Sequence, residues 1–140
     1  MKVHTLFVLS TILCVLLLSG CGGKNQQLSG KVTFSDDGSP VPIGAIFFTD
    51  GQFMSQGAIK PDGTYVVGTM TKTDGIPLGD YKVYLSGVTS SEDVQRGDGG
   101  FDTKYTSLID SKYASADTSG LTFTADGKTK TFDIKLDRAK

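Results

Sequence analysis

The thiols and the imidazole of this 140-residue chain are confined to its first 21 residues: Cys14, Cys21 and the single histidine, His4. Beyond Cys21 there is neither thiol nor imidazole. Ser-His-Asp and Cys-His catalysis are closed to that part of the chain, and a zinc site lacks its usual donors. What remains is carboxylate. Glu92, Asp93, Asp98 and Asp102 share one stretch and could form a general acid–base pair or an oxygen-rich calcium site. Their spacing fits no calcium loop, and a solvated acidic segment is the preferred reading. Asp36-Asp37-Gly38 and Asp62-Gly63 are turn residues before they are ligands. No cofactor, metal or catalytic set is expected. Phe101, Tyr105 and Tyr113 lie in the same region. They either fold back to cover the edge of a core, the preferred reading, or stand out as a platform for sugar or peptide.

Cys21 has a different chemistry open to it. Lys2 is followed by a largely apolar run of 13 residues, Leu6 to Leu18, and then by Ser19, Gly20 and Cys21. A basic start, an apolar centre and small residues at the end describe a secretory leader. The run is short of the roughly 20 residues a spanning helix needs. Leu18-Ser19-Gly20-Cys21 resembles the lipobox of bacterial lipoproteins. The resemblance implies cleavage after Gly20, a diacylglyceryl thioether on the Cys21 sulfur, and acylation of the new amino end. Two or three acyl chains, at about 0.8 kcal/mol for each buried methylene, hold a protein to a bilayer almost permanently. Gly22 rather than an acidic residue follows the cysteine, which by analogy favours the outer membrane, on its periplasmic or surface side.

The elements that must carry these residues are strands. The chain has 18 glycines and no tryptophan, and its 14 basic against 15 acidic residues argue against a nucleic-acid partner. Residues 21–27 read as a flexible tether. From Leu28 the period is two, with Leu28, Gly30, Val32 and Phe34 on one face. Further strands are expected over Ile43–Thr49 (apolar on both faces, hence interior), Phe53–Ile59 (weak), Thr64–Val67, Asp80–Gly87, Leu121–Ala125 and Phe132–Leu136. Lys60-Pro61-Asp62-Gly63 is a hairpin signal. Residues 89–113 read as a long loop holding Gly97, Gly99 and Gly100, with a single helical turn within Ser107–Tyr113; loops beyond about 12–15 residues are functional or disordered.

The order of these turns, Leu28-Ser29-Gly30-Lys31-Val32-Thr33, Pro40-Val41-Pro42, Lys60-Pro61-Asp62-Gly63-Thr64-Tyr65, Pro77-Leu78-Gly79-Asp80-Tyr81-Lys82-Val83, Lys112-Tyr113, Thr118-Ser119-Gly120-Leu121 and Phe132-Asp133-Ile134, resembles the carboxypeptidase regulatory-like domains. It looks especially like single-domain lipoproteins of planctomycete-type bacteria. The resemblance implies an all-β, seven-stranded Greek-key sandwich, transthyretin-like (prealbumin-like), over residues 28–137. Gly79 would let Tyr81 bury its ring with the hydroxyl at the edge, where it either bonds upstream backbone, as in a tyrosine corner, or is an ordinary half-buried aromatic. Hydroxyisourate hydrolases of that fold use histidine and arginine, and the missing histidine excludes their activity here. The functional expectation is a monomeric, lipid-anchored, non-enzymatic display or interaction module of the cell envelope. Its partner would be an envelope protein or glycan; the alternative is weak carbohydrate or calcium binding by residues 89–113.

If Cys21 carries the anchor, Cys21→Ser should move the protein from the membrane to the soluble fraction. A Cys21→Ser protein that stays on membranes through a high-salt wash contradicts the lipobox reading.

Overall fold

The computed structural model describes residues 24–140. The leader and Leu18, Ser19, Gly20 and Cys21 lie outside the described residues. Nine strands follow: β1 (Ser29–Phe34), β2 (Ala45–Thr49), β3 (Met54–Ala58), β4 (Thr64–Val66), β5 (Gly79–Ser86), β6 (Thr89–Gln95), β7 (Phe101–Ser107), β8 (Leu121–Ala125) and β9 (Ile134–Leu136). One 3-10 turn, Ser111–Ala114, is capped by the Asp110 carboxylate, which accepts the Lys112 N–H at 3.0 Å. The domain is all-β.

Two sheets form the body, with strand orders β4-β1-β9 and β3-β2-β5-β8. Neighbours are antiparallel except β1 and β9, which run parallel. The buried faces meet in one core: Val32 and Phe34 from β1, Ile46 and Phe48 from β2, Tyr81, Val83 and Leu85 from β5, Phe123 from β8, and Ile134 and Leu136 from β9. These are the alternate positions that period two predicts. Phe48 sits at the centre, with Phe123 and Phe132 edge-on at 5.8 and 6.3 Å, an arrangement aromatic quadrupoles favour. β2 is interior as expected, though Ile43 stays outside it and exposed.

The weak strand is weak for a reason. β3 faces the core with Ser55 and Gly57, because the other sheet approaches there; a Cβ on Gly57 would meet the Val66 carbonyl oxygen at 2.8 Å. The hairpin at Lys60–Gly63 is present, but it splays. Lys60 donates to Thr64 at one end and Gln56 exchanges bonds with Gly68 at the other. Between them β3 pairs with β2, and β4 pairs with β1.

Two buried tyrosines lock the sheets. Tyr65 donates its hydroxyl to the Phe132 carbonyl across the β1 backbone. The space exists because residue 30 is glycine, whose Cβ would fall 2.0 Å from that carbonyl oxygen and 2.8 Å from the Tyr65 hydroxyl. Tyr81 donates to the Pro77 carbonyl at 3.0 Å, the corner reading of the two that the sequence left open.

Two expectations need correction. The strands number nine rather than seven, because residues 89–107 are not a loop: β6 and β7 form an antiparallel hairpin inserted between the paired strands β5 and β8. An exposed ribbon buries neither face, so it lacks the apolar alternation that marks the other strands. Part of the segment read as a tether is held against the body. Gln26 is 6% exposed, exchanges backbone bonds with Ile76, and spans Gly127 and Thr129 with its carboxamide.

Gly30→Ala should destabilise the domain by about 2 kcal/mol or more through overpacking, and Val83→Asp by more than about 3 kcal/mol through an unpaired buried charge. Thr131→Asp, on exposed backbone, should cost little; chemical denaturation ranks the three.

Candidate functional site: an exposed hairpin at one end of the domain

β6 and β7 pair in register from Thr89 with Ser107 to Gln95 with Phe101. Arg96 donates to the Gly100 carbonyl at 2.7 Å to close the turn, and Leu108 donates to Val88 at 3.0 Å at the base. Every residue of β7 is exposed, and all of β6 beyond Thr89. Neither strand pairs with anything else. The hairpin projects.

Strand alternation places Phe101, Thr103 and Tyr105 on one face with Ser91, Asp93 and Gln95, and Asp102 and Lys104 on the other with Glu92 and Val94. Phe101 and Tyr105 are 68% and 69% exposed. The preferred expectation that the aromatics cover the core fails for these two and holds for the third. Tyr113, 5% exposed on the 3-10 turn, belongs to the core and bonds its hydroxyl to Asp137 at 3.1 Å. The structure thus brings together two of the three candidates.

The carboxylates do not converge. Asp93 accepts the Thr103 hydroxyl at 3.1 Å, while Asp98 and Asp102 lie 3.4 and 3.6 Å from different nitrogens of Arg96. All are exposed, and such pairs contribute little. No group of three or more acidic, histidine or cysteine side chains able to hold a metal occurs among the described residues. A cleft of about 600 Å³ between the β2–β3 turn and β8 contains Asp50, Asp80 and Asp117. Each already has a partner: the Gln52 and Phe53 amides, the Thr124 hydroxyl and the Lys82 ammonium respectively.

The hairpin leaves the body at the end opposite Gln26. Gln26 lies against Ile76 and Gly127, near the start of β5, where Gly79 pairs with Ala125. β5 then runs to Ser86, and the hairpin begins three residues later.

A polar clasp closes the hairpin end of the body, and sequence reasoning missed it because its members are far apart in the chain. Arg138 lies over the Phe34 ring at 3.6 Å and reaches Asp36 at 2.8 Å and Asp37 at 2.9 Å. Asp137 accepts from Lys112 at 2.6 Å and from Ser35 at 2.8 Å. The Lys112 ammonium above all, then the Ser35 and Tyr113 hydroxyls, hold the Asp137 carboxyl down at about 2. The Ser39 hydroxyl and amide, with Arg138, hold Asp37 at about 2 as well.

No family model matches the chain, and no curated protein matches it. Among solved structures it is similar to the major pilin subunit BcpA of Bacillus cereus, at 14% identity and a TM-score of 0.47, over 84% of this chain and 30% of that one. It is also similar to a 9R-lipoxygenase from Cyanothece, at 12% identity and a TM-score of 0.35, over 80% of this chain and 16% of that one. The chain spans less than a third of the length of either.

The depressed carboxylates predict an acid limit. Their folded-state values lie below the ordinary 3.8, so their stabilisation is present above that value and is lost as pH falls from there toward about 2. Asp137→Asn should flatten this part of the curve, measured as melting temperature against pH; an unchanged slope contradicts the clasp.

Proposed function

We propose that the protein is a lipid-anchored, non-enzymatic display module of the bacterial cell envelope, held at one end through Cys21 and presenting the β6–β7 hairpin at the other. The observation that supports this most is the opposed placement of its two ends. Cys21 precedes Gln26 by five residues, so the lipid lies within about 17 Å of Gln26 whatever path the chain takes. Eight residues of β5 then carry the chain about 25 Å from that end before the hairpin starts. A lipid at one pole and an exposed aromatic ribbon at the other is the geometry of presentation.

The chemical inventory supports the non-enzymatic part. Without imidazole or thiol beyond Cys21, proton transfer near neutral pH would fall to carboxylates whose surroundings separate their pKa values, and the hairpin's carboxylates are solvated. The outer membrane is the proposed location, from Gly22 after the cysteine.

The finer fold assignment, a Greek-key sandwich of the transthyretin-like, carboxypeptidase regulatory-like kind, belongs to the same proposal. It is supported by seven strands in two sheets, with the chain crossing between sheets at β1–β2, β3–β4, β4–β5 and β8–β9. The alternative function, carbohydrate or calcium binding by residues 89–113, keeps only its carbohydrate half, through the shared face of Phe101 and Tyr105.

Replacing Glu92–Thr103 with a short glycine-serine linker tests the proposal. Melting temperature and membrane fraction should barely change, since the hairpin lends no residue to the core, while any species cross-linked to the intact protein in membranes should be lost. Cross-linked species that persist show that the contact surface is elsewhere. A large drop in melting temperature shows that the hairpin covers the core.

A further inference from the structure

A two-stranded ribbon alone in water is marginal, and this one leaves both outer edges unpaired and two aromatic rings in solvent. Free edges invite another strand. The two edges differ in what they invite. β6 carries Glu92 beside Asp93, so a second β6 laid antiparallel about either residue meets its own charge. β7 reads Phe101-Asp102-Thr103-Lys104-Tyr105, which is self-complementary about its middle residue: aromatic, acid, threonine, base, aromatic.

We propose that β7 pairs antiparallel with β7 of a second copy of this chain, about a two-fold axis through Thr103, joining the two hairpins into a four-stranded sheet. This rests on the reading of the hairpin as the contact surface and is independent of the lipid anchor.

The backbone permits that register. Arg96 donates to Gly100 and Leu108 donates to Val88, and in an antiparallel ladder the bonded pairs alternate. Asp102 and Lys104 therefore turn their N–H and C=O groups toward β6. Phe101, Thr103 and Tyr105 turn theirs outward, where Thr103 meets its own copy and Phe101 meets the copy's Tyr105. On one face each Phe101 lies against a Tyr105, the aromatic cross-strand pairing that stabilises sheets. On the other face each Asp102 lies against a Lys104. Lys104 makes no ion pair among the described residues, and Asp102 has only the 3.6 Å approach of Arg96. Moving the axis by one residue sets Lys104 against Lys104 or Asp102 against Asp102, so charge favours Thr103 over either neighbour, and only the axis through Thr103 pairs Asp102 with Lys104. Tethering to one membrane raises the effective concentration of the two copies. The pair replaces the monomer expected from sequence.

The test is disulfide trapping in the full-length chain in membranes, with the unsubstituted chain run alongside. Thr103→Cys places two sulfurs on a bonded pair whose Cα atoms lie about 5.5 Å apart, within disulfide reach. Mild oxidation should give a covalent dimer. Tyr105→Cys, about 14 Å from its own copy by the same register, should not. Adding D102K to Thr103→Cys should cut the dimer at least about fivefold, and adding K104D to that variant should restore it. The proposal is overturned if Thr103→Cys cross-links no more than Tyr105→Cys, as a glycan-binding hairpin would predict, or if the charge swap fails to restore the dimer. A soluble chain that still cross-links keeps the pairing and loses the anchor reading. A membrane-bound chain that does not cross-link loses the pairing and keeps the anchor.

Discussion

Burial of one stripe of side chains on β5 is the interaction on which the rest depends. Tyr81, Val83 and Leu85 are all within the core, each contributing roughly 1.5–3 kcal/mol by removal from water. β5 is paired on both sides, with β2 and with β8, so it cannot shift register without turning its apolar set outward. It is also the strand that joins the two ends of the molecule. The Tyr81 hydroxyl bond to Pro77 fixes its start beside Gln26, and its far end delivers the chain into the hairpin.

The second sheet is held against this stripe by close approach as much as by apolar mass. Gly30 and Gly57 stand where any side chain would strike neighbouring backbone, that of Phe132 and of Val66 respectively, and the Tyr65 hydroxyl uses the space that Gly30 leaves. The splayed β3–β4 turn follows from the same constraint. Its ends stay bonded while its middle opens to serve two sheets.

How legible this was depended on burial. Strands with one face in the core announce themselves by alternation, as Val32-Thr33-Phe34 and Tyr81-Lys82-Val83 do, and Gly63 and Gly79, both at positive φ, were readable as turns because only glycine sits there easily. The Tyr81 corner was one of two readings the sequence left open, and its hydroxyl bond to Pro77 decides it. The hairpin was not. Ser90 to Gln95 and Phe101 to Ser107 are exposed on both faces, and the alternation criterion detects burial rather than extension. The surviving signal was local: β-forming Val94, Phe101, Thr103 and Tyr105 on either side of a glycine-rich turn. Of the candidate site residues, Phe101 and Tyr105 fell on one exposed face, and Tyr113 was claimed by the core because its hydroxyl finds Asp137, a partner 24 residues away that no local pattern shows.

If the protein is the display module proposed above, one end of the domain faces the bilayer and the hairpin faces away from it. Energy transfer from a surface-membrane dye to labels on single cysteines measures that directly, with Thr73→Cys beside the N-terminal end and Gly97→Cys at the hairpin tip. The account predicts strong transfer from the membrane to residue 73 and weak transfer to residue 97. Equal transfer at both positions, or stronger transfer at 97, would contradict it.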